Sequence, residues 1–549
     1  MMLALSLELS LSFAHTSVLA MPPDSNLEQL LSPVSEAEII SGNKGIQITQ
    51  IFDDSREVIV GSAFISIPLD GDIYEGFSDE KETRMVAIAL DAIKRGAVAI
   101  IAENKGVLLK IPDSVTKVFV PDARRASGLM AAEFYDHPSR KMVLIGATGT
   151  NGKTTTANLT ASILRHAGFK SVGVIGTLGA TTENMLIDIK ESTTPRSLVL
   201  QGILSRFLEA GVEAVVMEVS SHGLALQRVV ECAFDAAIFT NLTEDHLDFH
   251  KTMEGYWAAK MLLFSDIAKY SMQFKRFAAI INTDDEYGRN LIKDVVKEAS
   301  YEYITYSVTE NSDIKAEDIK ISNRKIGFTI NKYCEDDSSV PFTAPLVGRF
   351  NVYNCLAAIS VGQHLKIPPS SLQDGLNCAK APTGRMEFID EGQSFNVIVD
   401  YAYNPDGLEK VLTALKELVT GRLICVFGAS DHRYSDRLKR SSMGSVAVGL
   451  ADLVILTSDN PGFEDPQGIV EDILVGVRNM RKESITRVEI DRREAIKLAL
   501  EMAEEGDTVL FAGKAQEEYQ ILGDEKTAFD ERGIVRDTLR SLLKVERTV

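Results

Sequence analysis

Short apolar runs, separated by stretches with helical spacing, recur along almost the whole chain. Ile46–Phe52 and Ala63–Ile67 are β-branched runs, Met85–Arg95 has helical spacing before Gly96, and Ala97–Ala102 reads as a buried strand. Ala126–Tyr135 follows as a helix, closed by the turn cluster Asp136-His137-Pro138-Ser139. Met142–Ile145 restarts the rhythm with a strand, a Gly/Thr loop, and a helix from about Thr154 to His166, with Gly168 just past its end. Strands at Ser171–Ile175, Ala214–Met217, Ala236–Thr240 and Ala278–Asn282 continue it, with a helix at Leu198–Ala210. Ile321–Asn331 and Tyr333–Phe342 predict a polar hairpin insertion, and Phe350–Leu365 a helix. Beyond Pro382, strands at Val397–Asp400, Leu423–Phe427, Leu453–Thr457 and Thr508–Phe511 interleave with helices at Gly407–Leu418, Gly468–Val477 and Asp491–Glu504. Strands alternating with helices predict an α/β fold whose sheets are mostly parallel and covered on both faces.

The 549 residues suit about two to four domains, and the pattern divides them into three. Residues 1–139 predict a small N-terminal α/β domain, with 1–40 extended or leader-like. Residues 140–382 predict a central P-loop-type sheet, and 383–549 a Rossmann-like α/β domain without a phosphate loop of its own. Hydrophobic residues at 45% and charged residues at 25% exclude a disordered or fibrous chain. A net charge of −20 argues against nucleic acid as a partner, because wrapping it needs dense Lys and Arg. The five cysteines (Cys232, Cys334, Cys355, Cys378, Cys425) form no CxxC pair, which disfavours a disulfide framework or zinc module and favours a reducing compartment.

Met1–Met21 is apolar and Ser-rich, yet the first basic residue is Lys44 and Glu8 interrupts the run. A secretory signal wants a cationic start and a transit peptide wants Arg without acids. No later run reaches the roughly 18 apolar residues of a membrane span. A cytoplasmic protein without a membrane partner is expected, with an organelle as the alternative if the N-terminus is a leader.

The strongest local signal is Gly146-Ala147-Thr148-Gly149-Thr150-Asn151-Gly152-Lys153-Thr154-Thr155. Glycines let successive backbone N–H groups turn around phosphate oxygens, and the helix N-terminus behind them favours anions. Lys153 would reach the outer phosphates and Thr154 would ligate Mg²⁺. The common pattern wants Gly at 147, where Ala stands, so this is a variant loop; a strand-to-helix turn that only packs is the plain alternative. Glu218 ends an apolar strand, where a carboxylate faces the phosphate loop across the sheet edge as a candidate Mg²⁺ ligand. A surface glutamate on a strand end is the alternative.

Gly149-Thr150-Asn151-Gly152-Lys153-Thr154-Thr155 after an apolar strand resembles the Mur ligase superfamily, the ATP-dependent amide-bond ligases of peptidoglycan and folate metabolism. Ser192-Thr193-Thr194-Pro195, Met217-Glu218-Val219-Ser220-Ser221-His222-Gly223-Leu224 and Thr240-Asn241-Leu242-Thr243-Glu244-Asp245-His246-Leu247-Asp248 resemble it too. So do Ala258-Ala259-Lys260, Gly384-Arg385-Met386-Glu387 and Asp459-Asn460-Pro461. Together, from Asp54-Ser55-Arg56 to the C-terminus, they are similar to the MurE type, the UDP-N-acetylmuramoyl-tripeptide synthetases.

That resemblance implies ATP-dependent addition of a diamino acid to UDP-MurNAc-L-Ala-D-Glu through an acyl phosphate, by a monomer. It implies catalytic roles for Lys153, Lys260, His246 and Arg385. Nucleotide contacts would come from Gly149, Thr150, Asn151, Gly152, Lys153, Thr154, Thr155, Asn351, Asn354 and Asp400. Mg²⁺ ligands would be Thr154, Glu218, His246 and Lys260, the last as a carbamate that turns a repelling cation into an anion. From the residues alone, His246 reads equally as structural and Lys260 as a snorkelling side chain beside Tyr256 and Leu263. Implied substrate contacts are Ser55, Thr193, Thr194, Ser220, Arg228, Arg433, Asp459, Asn460, Pro461, Gly513 and Glu517.

Several positions depart from the family pattern. Leu226 stands where the family has Gln, and the N-terminal Asp-Gly-His loop appears as Asp70-Gly71-Asp72. Asp-Tyr-Ala-His-Thr-Pro-Asp appears as Asp400-Tyr401-Ala402-Tyr403-Asn404-Pro405-Asp406. Tyr replaces a group that titrates near neutrality by one that titrates near about pH 10. Ala515 and Gln516 replace Gly and His. Gly462 stands where diaminopimelate-adding members carry Arg, so either the incoming amino acid lacks a distal carboxylate, as lysine does, or Arg433 takes over. The departures keep open a nucleotide-binding scaffold without turnover, and a folylpolyglutamate synthase is the same-class alternative.

Overall fold

The computed structural model describes residues 25–69, 78–189, 192–297, 299–322, 324–331, 339–431, 437 and 439–546. The chain packs as two compact units. One comprises residues up to Met142 with Pro195–Gly211 and Leu226–Cys232; the other comprises Val143–Thr194, Val212–Ala225 and the chain from Ala233 onward.

The first unit is built on five strands in the order Glu38–Ser41, Thr116–Phe119, Ala99–Ala102, Ala63–Ser66, Ile51–Phe52. All neighbours are parallel except the first pair. The inner strands AFIS and AIIA are buried at every position, because helices cover both faces. One of these, Asp79–Arg95, is started by the Ser78 side chain accepting from Lys81 N and carries three acids in its first turn, which suit the positive end of the helix dipole. It stops at Gly96, whose φ of 114° is left-handed. Helix Ser197–Glu209 packs against helix Ala123–Phe134 in this unit.

The second unit holds an eleven-stranded sheet, in the order Val340–Ala344, Lys325–Ile330, Ile314–Ser322, Glu302–Ser307, Ala278–Asn282, Ala236–Phe239, Val143–Thr148, Ala214–Glu218, Val172–Gly176, Gly179–Thr181, Leu186–Ile187. From Ile314–Ser322 to Val172–Gly176 the strands run parallel. Register places Glu218 beside Ala147 and Phe239 beside Thr148, so three strands finish at one edge. Helices Lys153–His166 and Phe350–His364 pack together on one face of this sheet.

The segment expected to be a polar hairpin insertion does form an antiparallel hairpin, Lys325–Ile330 with Val340–Ala344, but it is the edge of this sheet with one face in the core rather than a polar insertion. Ile326, Phe328, Ile330, Phe342 and Ala344 are buried in the same core as Ile145 and Ile163. The polar residues alternate with these along each strand and supply the solvent face, which is why the run reads as polar. Residues 332–338 of that expectation lie outside the described residues.

A further six-stranded sheet runs Glu387–Phe388, Asn396–Asp400, Thr508–Ala512, Leu423–Phe427, Leu453–Leu456, Thr486–Val488, parallel after its first pair. Its helices are tied to the strand ends by a fully buried ion pair, Arg492 Nε to Glu531 Oε1 at 2.7 Å. Arg492 also donates to the Ala512 carbonyl at 2.9 Å, and Glu531 accepts from Ala515 N at 3.2 Å. Among the described residues no helix is long and apolar enough to cross a membrane.

Removing one partner of a buried pair strands the other charge. Glu531→Ala is therefore expected to destabilise the second unit by about 3–5 kcal/mol. Chemical denaturation checks this, and a midpoint equal to wild type would contradict it.

Candidate active site

The phosphate loop leaves strand Val143–Thr148 at the sheet's carboxyl edge. Gly149 has φ +149°, and a Cβ there would lie 1.9 Å from Thr240 Oγ1. Gly152 has φ +88° and opens helix Lys153–His166; its Cβ would meet Asn354 Oδ1 at 2.6 Å. Both positions therefore need glycine for space as well as conformation. The loop is held by Thr150 N to the Asn241 carbonyl at 2.9 Å, Asn151 N to Asn241 Oδ1 at 2.9 Å, and Thr240 Oγ1 to the Asn151 carbonyl at 2.7 Å. The Thr150 hydroxyl shares a 3.1 Å hydrogen bond with Tyr256.

Lys153 folds back on this loop, donating to the Gly149 and Thr150 carbonyls at 2.9 Å each. Its removal from water lowers its pKa, an effect the Glu218 carboxylate partly offsets. Beside it, Thr154 Oγ1 donates to Glu218 Oε2 at 2.9 Å, and Thr177 N donates to Glu218 Oε1 at 2.9 Å. Arg385 Nη2 reaches Thr154 Oγ1 at 3.3 Å from the chain entering the six-stranded sheet. Thr194 Oγ1 donates to the Glu218 carbonyl at 3.0 Å and accepts from Ser220 N at 2.9 Å. Thr193 joins through Thr177 at 3.3 Å.

Lys260, on helix Met253–Met261, is only 1% exposed. Its Nζ donates to the Gly149 carbonyl at 2.9 Å and lies 4.6 Å from the centre of the Tyr256 ring. Burial, and then Lys153, push its pKa well below the usual lysine range. His246 precedes helix Leu247–His250 at a left-handed φ of 56°. Burial pulls its pKa down to about 4, leaving a neutral imidazole. Among the described residues no three His, Cys, Asp or Glu side chains alone form a metal cluster. The Thr154 hydroxyl and Glu218 carboxylate are nonetheless hard oxygen donors that already meet, as Mg²⁺ requires.

A cavity of about 280 Å³ opens beside the loop, lined by Asn151, Gly152, Thr155, Asn351, Asn354, Arg385 and Asp400 of the expected residues. Phe350, Tyr353, Asp284 and Lys410 also line it and were not anticipated. Asp284 was findable as an acid just past strand Ala278–Asn282; the others belong to no motif. Burial pushes the Asp400 carboxyl up to about 6, and Arg385 offsets part of this.

In the six-stranded sheet, Asp459, Asn460, Gly513 and Glu517 converge on Lys514. Its buried Nζ lies 2.6 Å from Asn460 Oδ1, 2.9 Å from Glu517 Oε2 and 3.5 Å from Asp459 Oδ1. A Cβ on Gly513 would be 2.9 Å from Asp459 Oδ2, and Pro461 is buried beside this group. Gly462 has φ +53°, and both its backbone groups are engaged, N to the Ile521 carbonyl at 3.0 Å and O from Gly523 N at 2.7 Å. Ser55 and Arg228 belong to the first unit, where Ser55 Oγ donates to Asp91 Oδ2 at 2.9 Å. Arg433 and Asp70-Gly71-Asp72 lie outside the described residues.

A phosphate loop at the edge of a parallel sheet, with an arginine of a second α/β sheet on its threonine, defines a nucleotide-dependent P-loop enzyme. The family profile of the Mur ligase middle domain matches residues 147–362, and that of the Mur ligase glutamate ligase domain matches 384–515. The UDP-N-acetylmuramoyl-L-alanyl-D-glutamate–2,6-diaminopimelate ligase 1 of Clostridium acetobutylicum is 39% identical over 507 residues, 92% of this chain and 97% of the relative. The corresponding ligase of Caldanaerobacter subterraneus is 40% identical over 501 residues, 91% and 96% of the two chains. A solved UDP-N-acetylmuramoyl-L-alanyl-D-glutamate–2,6-diaminopimelate ligase superposes with TM-score 0.64 at 31% identity, covering 95% of this chain and 99% of that one. The chain belongs to the Mur ligase family of ATP-dependent ligases, in its MurE branch.

Gly149→Ala is expected to cost about 1–3 kcal/mol through backbone strain and to abolish the thermal shift given by Mg-ADP. Adding Thr240→Ala removes the atom that the new Cβ strikes and should recover part of the stability. Thermal melts of the two variants decide it, and a normal ADP shift in Gly149→Ala would contradict the clash.

Proposed function

We propose that the protein joins a diamino acid to UDP-N-acetylmuramoyl-L-alanyl-D-glutamate, using ATP, in peptidoglycan precursor synthesis. The observation that carries this reading is the convergence of Lys153, Thr154, Glu218 and Lys260 on the phosphate loop, with Arg385 supplied by the other sheet.

The substrate carboxylate attacks the γ-phosphorus of ATP, ADP leaves, and an acyl phosphate forms. The amine of the diamino acid then attacks its carbonyl carbon, phosphate leaves, and the amine gives up a proton. Charge gathers on the phosphoryl oxygens, so cations count for more here than a general base. Lys153 exchanges its two loop carbonyls for phosphate oxygens, and Arg385 sits where it adds a second positive charge. Thr154, Glu218, His246 and Lys260 would hold Mg²⁺, which when bound supplies positive charge to the phosphates. For this Lys260 must become an anion. Its amine, once deprotonated, attacks CO₂, the new carbamate carries the negative charge, and the remaining displaced proton leaves to solvent. The carbamate nitrogen keeps one N–H, matching the single carbonyl acceptor at Gly149.

For the incoming amino acid, L-lysine suits the site. Gly462 provides no cation for a distal carboxylate, and Lys514 faces two carboxylates, Asp459 and Glu517, leaving an excess negative charge for an ammonium. meso-Diaminopimelate is the second reading, favoured by the names of the relatives.

Purified protein with Mg-ATP and the UDP-linked dipeptide should release ADP when lysine is added, but not when meso-diaminopimelate or ornithine is. Release with meso-diaminopimelate alone would overturn the lysine reading and keep the ligase. Silence with all three would instead favour a scaffold. Separately, ¹³C-bicarbonate should give a carbamate carbonyl resonance that Lys260→Ala lacks, with kcat falling by about a hundredfold or more in that variant. An unchanged spectrum would remove Lys260 from this role.

A further inference from the structure

Asp245 precedes His246 and is 4% exposed, yet its carboxylate is satisfied largely by the other sheet. Asn404 Nδ2 donates to Asp245 Oδ2 at 2.9 Å, and Lys439 Nζ stands 3.9 Å from Oδ1. The buried Tyr403 hydroxyl lies close enough to this carboxylate for Asp245 to help burial push its pKa up, and Lys439 Nζ lies 4.7 Å from the centre of the Tyr403 ring. On its own side Asp245 accepts from His246 N at 3.0 Å, and the His246 ring Nε2 lies 3.8 Å from Oδ2. Asn404 also starts helix Pro405–Lys416, its Oδ1 accepting from Gly407 N at 2.8 Å.

A buried carboxylate that loses its donors costs several kcal/mol. Parting the two sheets at this point strips Asp245 of the Asn404 amide and of the Lys439 charge together. Tyr403 and Asn404 are the two residues that replace His and Thr of the family pattern, so the departure builds a joint around Asp245. Two further ties lie nearby, Asn151 Nδ2 to Asp406 Oδ2 at 2.5 Å and Arg385 to Thr154 at 3.3 Å.

We propose that Tyr403 and Asn404 are positioning residues that act through Asp245, locking the His246 loop onto the C-terminal sheet so that Arg385 stays on the phosphate loop. The proposal rests on the ligase reading above. Tyr403 on this account is neither a failed acid–base group nor a sign of lost turnover.

Full-length wild type, Asn404→Ser and Tyr403→Phe are compared by steady-state turnover and by amide hydrogen exchange with Mg-ADP bound. Serine keeps the helix cap but is too short to reach Asp245; phenylalanine keeps the ring beneath Lys439 and loses the hydroxyl. Each variant is expected to lower kcat about tenfold, leave KM for the UDP-linked dipeptide within about twofold, and speed exchange about tenfold in residues 241–247 and 401–406. Wild-type exchange in both segments would overturn the joint, whatever happens to kcat. Faster exchange with wild-type kcat would overturn the positioning role. If wild type itself releases no ADP with any amino acid, the ligase reading fails, and the exchange data still decide whether the joint exists.

Discussion

The Gly149 carbonyl oxygen accepts from two lysines, the half-buried Lys153 and the buried Lys260, each at 2.9 Å. Two ammonium groups cannot share that oxygen at full charge in a site shielded from water. Both lysines have lowered pKa values, Lys260 well below the usual lysine range. The rest of the second unit serves to keep that carbonyl, the Glu218 carboxylate and the Thr154 hydroxyl in one place.

Sheet register does most of this work. Ala214–Glu218 and Ala236–Phe239 flank Val143–Thr148, so the phosphate loop, the Glu218–Ser220 turn and the segment Thr240–His246 leave one edge side by side. A shift of one residue would turn each side chain to the opposite face and dissolve the site. The six-stranded sheet then contributes Arg385, and Asp400 beside it, from the segment that enters it and its own strand Asn396–Asp400.

The groups legible in the sequence were those whose neighbours in the chain are also their neighbours in space. The phosphate loop, Glu218 at a strand end, and the alternation of strands and helices all follow from local pattern. Asp245 and Tyr256 were not singled out, and Lys439 was passed over, because each acquires meaning only from a residue far along the chain: Asn404, Thr150 and Asp245. Helix Lys439–Leu450 was missed since its small and polar residues give little periodic contrast, yet they let it pack closely on helix Pro466–Asn479. The strands from Ile314 to Ala344 show the reverse error, where polar residues on a solvent face concealed buried partners between them.

The buried Glu531 divides its two carboxylate oxygens. One takes the Arg492 guanidinium, and the other takes the amide of Ala515, inside the loop that carries Lys514 and Glu517. The C-terminal helix Glu531–Glu546 thus anchors the loop that carries Lys514 and Glu517. Selection acting on this protein cannot retune that stretch and the end of the chain independently. A new residue at 515 or 516 is admitted only if residue 531 still has an oxygen to offer, so the freedom of that loop is set partly by the helix that begins at Glu531.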